Sequence, residues 1–319
     1  MSPKSLALRP GNDQEVLAVL AGSQSVWGHG IGPEEYVEYH NLIRNHPWSQ
    51  KNFQHLVLID EQGEIFSSCK TYHHQVRIGS EFFRLCGIGA VFTPPQYRSL
   101  NYASQMLEYL MEEIQEQGFE LALLFTDIGP EFYSRFGFRL FFKSDPVYLF
   151  AEQGLAGSEI QILNHLPAEL LEWDQAYDQG RNFAVIKTPE YFQLLSDRIS
   201  WHQKYLGYQD QKVAVSFPDQ TYLWADLSRW RIMARRFATC KSDPGQALGR
   251  ILTALKEKLG FHSITGWLPS EFEQYPFLRL KDYEPRTRSL MMLTALNERA
   301  KIVYDLSPDE VQFWLGDYF

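Results

Sequence analysis

The sequence predicts an α/β (α+β) protein with a mixed central sheet, followed by a second, diverged half of the same kind. Three observations carry this. Residues 55–93 hold successive strand signals, and residues 101–125 read as an amphipathic helix followed by an uninterrupted apolar run. The same order of strand, helix, strand and helix then returns later in the chain, with Gly118-Phe119 and Gly260-Phe261 standing 142 residues apart and Phe132 and Phe272 140 apart. At 319 residues the length fits two domains, and 45% hydrophobic residues can build a core without metal or disulfide.

Each element has its own signal. Residues 5–9 form a short strand closed by Pro10-Gly11-Asn12-Asp13, and a helix follows with Asp13 as its N-cap and Val16, Leu17, Val19 and Leu20 inward. Residues 23–50 are rich in His, Gly and aromatics and read as irregular, apart from a helix over 33–44. Residues 55–60 and 65–78 flank a hairpin turn, Glu61-Gln62-Gly63-Glu64. Residues 82–93 add a strand that Pro94 ends, since proline donates nothing to a ladder. Ala103, Met106, Leu107, Leu110, Met111 and Ile114 form one stripe of a helix that Gly118 stops. Residues 121–125 are apolar throughout, as in a strand covered on both faces. A short helix over 131–137 and one strand over 139–149 complete the half.

In the second half, residues 212–217, 222–227 and 229–239 are strand-like, residues 245–259 helical, and residues 263–268 strand-like again. The most linker-like stretch is 151–158, so the expected domains are 1–150 and 159–319.

Composition excludes several functions. Thirty basic against thirty-nine acidic residues give a net charge of −9, which repels nucleic acid. No apolar run reaches the ~20 residues of a membrane span, and the N-terminus lacks a signal-peptide core. Cys69, Cys86 and Cys240 form no spaced pair, which fits a reducing compartment. The expectation is a cytoplasmic protein with no nucleic-acid or membrane partner. His73 and His74 are adjacent in a strand and point to opposite faces, and Trp27-Gly28-His29-Gly30, His40 and His46 lack ligand spacing, so no metal is expected.

The chemistry concentrates in residues 86–138. A strand ends at Ala90-Val91-Phe92-Thr93, and a polar turn opens the amphipathic helix. Free backbone N–H groups at a helix start, beside Arg98, make a cradle for a diphosphate. The next strand delivers Phe132-Tyr133 beyond its end, near that cradle.

Here the chain resembles the GCN5-related N-acetyltransferase (GNAT) superfamily. Its motif is Arg/Gln-x-x-Gly-x-Gly/Ala opening a helix, with an aromatic-Tyr-x-x-x-Gly-Phe segment about thirty residues on. This chain has Arg98-Ser99-Leu100-Asn101-Tyr102-Ala103 and Phe132-Tyr133-Ser134-Arg135-Phe136-Gly137-Phe138, with Asn101 where the first glycine stands in the family. Within the superfamily the run from Val91 to Ser99, with that from Thr126 to Phe138, looks most like fungal-type lysine N6-acetyltransferases. The resemblance implies a GNAT fold and acetyl-CoA as co-substrate. It implies that the pantetheine arm pairs with Val91, Phe92 and Thr93, and that the pyrophosphate sits on the amides of Ser99, Leu100, Asn101, Tyr102 and Ala103, beside Arg98 and Phe132. It further implies Val91 N–H as oxyanion donor and Tyr133 as general acid.

The expected reaction is direct acetyl transfer to a primary amine, free lysine or another small amine. Acetylation of an antibiotic or a protein lysine is one alternative, and a non-catalytic acyl-CoA-binding protein another. No carboxylate declares itself as base: Asp127, Glu131 and the terminal carboxylate of Phe319 are the candidates. The second half has Lys241-Ser242-Asp243 at the cradle position and Glu273 after Phe272, so it is read as a GNAT-like domain without a competent cofactor motif.

Overall fold

A computed structural model describes residues 5–28, 30–141, 144–151, 155–205, 211–228, 231–268, 270–286, 288–307 and 310–311. His29, Arg229 and Phe319, considered above, lie outside them.

The elements run β1 (Leu6–Pro10), α1 (Asp13–Trp27), α2 (Pro33–Asn45), α3 (Ser49–Asn52), β2 (Phe53–Asp60), β3 (Ile65–Ile78), β4 (Glu81–Phe92), α4 (Tyr102–Glu116), β5 (Leu121–Thr126), α5 (Glu131–Ser134), β6 (Arg139–Leu140) and β7 (Ser144–Phe150). They continue with β8 (Gln161–Leu163), α6 (Leu170–Gln179), β9 (Phe183–Val185), α7 (Pro189–Tyr205), β10 (Gln211–Ser216), β11 (Thr221–Ser228) and β12 (Arg231–Thr239). The last are α8 (Pro244–Leu259), β13 (Ser263–Gly266), β14 (Leu278–Pro285) and β15 (Leu290–Ala295).

Local chemistry explains most boundaries. Asn12, not Asp13, caps α1. The Asn12 side chain accepts the Glu15 N–H at 3.0 Å and the Glu15 carboxylate accepts the Asn12 N–H at 2.8 Å, a reciprocal box that Asp13 is one residue too late to form. At the β2–β3 turn, Asp60 Oδ1 accepts the N–H groups of Gln62 and Glu64, and Gly63 takes the left-handed dihedral (φ 85°). Residues 23–50 are largely helical rather than irregular, because Tyr36, His40 and Ile43 give α2 a buried stripe.

Two mixed sheets share one strand order. The first runs β1-β2-β3-β4-β5-β15-β6, with β9 added alongside the far end of β3. The second, read from its other edge, runs β8-β10-β11-β12-β13-β7-β14. The parallel pair, β4–β5 or β12–β13, occupies the same place in each. The expected mixed α/β architecture with a repeated half is therefore present.

The halves exchange their penultimate strands. β15 enters the first sheet between β5 and β6, and β7 enters the second between β13 and β14. The sheets thus do not divide at residues 150 and 159. The single strand expected over 139–149 is two strands, β6 and β7, in different sheets. Its apolar character is continuous, and sequence carries no sign of the partner each part selects.

One face of the first sheet packs on α4, whose Met106, Leu107, Leu110 and Ile114 join Leu56, Cys69, Cys86, Ile88 and Leu124 in one cluster. The other face, with Tyr72, Val76, Leu85, Leu121 and Leu123, belongs to a core that also takes in Phe192, Leu195 and Ile199 of α7 and the interior of the second half.

Candidate active site

The site begins where two parallel strands separate. β4 and β5 pair from Leu85–Leu121 to Ile88–Leu124, and no pairing follows although both strands continue. On its other side β4 carries a bulge: Ser68 faces Phe92 and Lys70 faces Gly89, so one extra residue lies on β4, and Ala90 turns to φ 47° to absorb it. The Phe92 carbonyl accepts the Ser67 hydroxyl of β3 at 3.0 Å. Successive peptide groups of a strand point to opposite edges, so Val91, the preceding residue, turns its backbone toward the gap. Phe92 itself is turned away, with its ring buried against Val19, Val57 and Ile59.

Beyond β4, Pro94 and Pro95 start a tight turn, and Arg98 Nε donates to the Thr93 carbonyl at 3.2 Å. Ser99 and Asn101 both adopt left-handed backbones (φ 62° and 68°), with Leu100 exposed between them. Asn tolerates that region better than most residues, which is how it replaces a glycine. The first bond of α4 runs from Gln105 N–H to the Asn101 carbonyl (3.1 Å), and the Asn101 side chain makes no cap. Among the described residues, the N–H groups of Tyr102, Ala103 and Ser104 have no backbone acceptor, so the helix start is open to an anion.

A groove of about 340 Å³ lies over these amides. Thr93, Arg98, Ser99, Asn101, Tyr102, Ala103 and Phe132 line it, together with Tyr97, Ser104 and Arg135. Arg135 is the residue that sequence reasoning missed. Its guanidinium stands 5.0 Å over the Phe132 ring and reaches 3.5 Å from Ser104 Oγ, so a second cation meets the groove opposite Arg98. Its signal was present, two residues after Tyr133 in the motif.

α5 carries Tyr133 inward. The side chain is 6% exposed, set edge-on to Phe132 (4.9 Å) and Phe138 (6.3 Å), in the cluster that Val91 also packs against. Burial pushes its phenol up to about 12, so it stays protonated at any physiological pH.

Other candidates are engaged elsewhere. Asp127 is exposed, and its Oδ1 accepts the Ser289 N–H at 2.8 Å. Glu131 is exposed at the start of α5. Asp243 caps α8 with its own carboxylate, accepting the Gln246 N–H at 2.8 Å. His73 lies against Phe119 while His74 lies on the opposite face against Trp48, and no group of three or more potential metal ligands occurs among the described residues.

Comparison with known proteins agrees with this geometry. Residues 7–141 match the family described as the acetyltransferase (GNAT) domain. Among solved structures, a probable N-acyltransferase from Enterococcus faecalis V583 superposes with a TM-score of 0.67 at 12% identity, over 93% of this chain and 74% of that one. A GCN5-related N-acetyltransferase from Kribbella flavida gives 0.65 at 13%, over 94% and 73%. Eis1 from Mycobacterium abscessus gives 0.61 at 11%, over 94% and 75%. At such identities the likeness is one of fold, and it extends over both halves. No curated protein matches the chain. The match to the acetyltransferase (GNAT) domain thus falls on residues 7–141, and the likeness of fold reaches the rest of the chain.

Proposed function

We propose that the protein moves acetyl from acetyl-CoA directly to the primary amine of a small molecule, with free lysine the leading acceptor. The observation that carries this is the pairing of an open helix start, flanked by Arg98 and Arg135, with a buried, protonated Tyr133 beside parting strands. In this reading the amides of Tyr102, Ala103 and Ser104 and the two guanidinium groups hold the diphosphate. Thr93 and Val91 line the path of the pantetheine arm.

Val91 N–H donates to the thioester oxygen as charge develops there, and Tyr133 protonates the departing sulfur. A free thiol has a pKa near ~8.5, so an unprotonated sulfur is a tolerable leaving group that the phenol improves further. The second half, whose cradle Asp243 fills, shapes the acceptor side without binding acetyl-CoA itself. Three free cysteines, two of them buried, fit a cytoplasmic setting.

The test is release of CoA thiol from acetyl-CoA with a panel of amines: lysine, other diamines, an aminoglycoside and a lysine-containing peptide. Lysine or a small amine turned over fastest supports the reading. Preference for the aminoglycoside or peptide moves the acceptor class. Tight acetyl-CoA binding with no acetylated amine favours the non-catalytic alternative.

A further inference from the structure

We propose that Lys70, held by His40, takes the proton from the acceptor's ammonium, supplying the base that the acetyl transfer proposed above requires. The inference rests on that reading of the site.

The cradle and α4 lie on one face of the first sheet, so an acceptor meets the thioester from the other. On that face Lys70 stands directly opposite Gly89, and Tyr72 opposite Gly87. Facing residues of an antiparallel pair project to the same side, so at the two glycines β4 sets no side chain beside Lys70. Gly89 is the first residue of β4 past the point where β5 departs. Across the gap, Phe125 stacks on Trp267 (5.0 Å, 20°). Lys70 and Phe125 are two strand spacings apart, about 10 Å, a span that an alkyl amine can bridge.

Lys70 is 6% exposed, and its Nζ lies 3.2 Å from His40 Nδ1 and 3.4 Å from Nε2. Among the described residues the charged or titratable groups coupled to it are His40 from α2, His55 from β2 and Arg198 from α7, with Arg44 of α2 acting in turn on His55. Among the described residues no carboxylate pairs with it. Two residues along the same face, Ser68 Oγ is buried without a hydrogen-bond partner among the described residues. Burial, with the charge of Arg198, pushes the Lys70 amine down to about 7, while burial takes His40 to about 2 and His55 to about 3. Near neutral pH a large share of Lys70 is therefore the neutral amine, between two neutral imidazoles.

Lys70 accepts one N–H proton from the ammonium and leaves a neutral amine. The amine nitrogen forms the C–N bond and the C–S bond breaks. The nitrogen's second proton balances the one that Tyr133 gives to sulfur. Lys70 then returns its proton to water, so one proton is released per acetyl transferred.

The experiment is the pH profile of kcat/KM between pH 6 and 10 with the best amine of a panel of lysine, cadaverine and tyramine. The wild type should rise to about pH 7 and then level. Lys70→Met and Lys70→Arg should lose about 100-fold at pH 7.5 and climb tenfold per pH unit toward ~10, where the free amine supplies itself. CoA affinity by calorimetry should not change. Variants that keep the wild-type plateau overturn the proposal, and so does a wild-type profile that climbs steadily to pH 10, which decides the matter even if the variants fail to fold. If no amine is acetylated at all, the acetyl-transfer reading falls first and takes this one with it.

Discussion

Asn101 and Asp243 stand at the same position of the two halves, before α4 and α8, and they treat the helix start in opposite ways. The Asp243 carboxylate spends the Gln246 N–H on itself, whereas Asn101 turns left-handed and leaves the first amides of α4 unoccupied. One residue therefore separates an open helix start from a closed one.

Asn101→Asp should weaken CoA binding at least tenfold, about 1.4 kcal/mol, through repulsion of the diphosphate. Asn101→Gly should leave it nearly unchanged, because glycine takes the same backbone freely. Asn101→Val should cost about 1–2 kcal/mol of stability from the left-handed φ. Calorimetry with CoA and urea unfolding check the three.

Arg98→Ala and Arg135→Ala should each weaken CoA about tenfold in low salt, with smaller losses at high salt, since both guanidinium groups are exposed. Equal losses for CoA and for a pantetheine fragment without the diphosphate would contradict the assignment.

Much of this cradle could be read from the sequence, because it is local. The stripe from Met106 to Ile114 fixed where α4 lies, and Arg98 with Tyr133 stood in recognisable spacing. What escaped was non-local. The partner of residues 144–150 is chosen by a core formed with the second half, and no local pattern distinguishes β7 from a continuation of β6. β15 was likewise invisible as the strand completing the first sheet. Lys70 was hidden for a related reason: in a strand buried on both faces, alternation does not separate an inward polar residue from its neighbours.

The exchange predicts that a fragment of residues 1–150 does not fold. It lacks β15, whose fully buried Met291, Met292 and Leu293 sit between β5 and β6, and it leaves β7 without a sheet. Far-UV circular dichroism and solubility test this. A soluble, cooperatively unfolding fragment would show the exchanged strand to be dispensable.

The buried Lys70 amine also links stability to pH. Its folded value, about 7, is below the ordinary 10.5, so between those limits the unfolded chain binds more protons and stability rises with pH. Relative to Lys70→Met, the wild type should gain on the order of 1 kcal/mol per pH unit from pH 7 to 9. Parallel urea curves for the two proteins over that range would contradict the burial of a neutral amine.

The most direct measurement of the central claim compares wild type with Tyr133→Phe by thiol release and by CoA calorimetry. CoA affinity should be unchanged and kcat lower by about 100-fold or more, because the phenol acts only on the departing sulfur. A variant that turns over amine at the wild-type rate would contradict it.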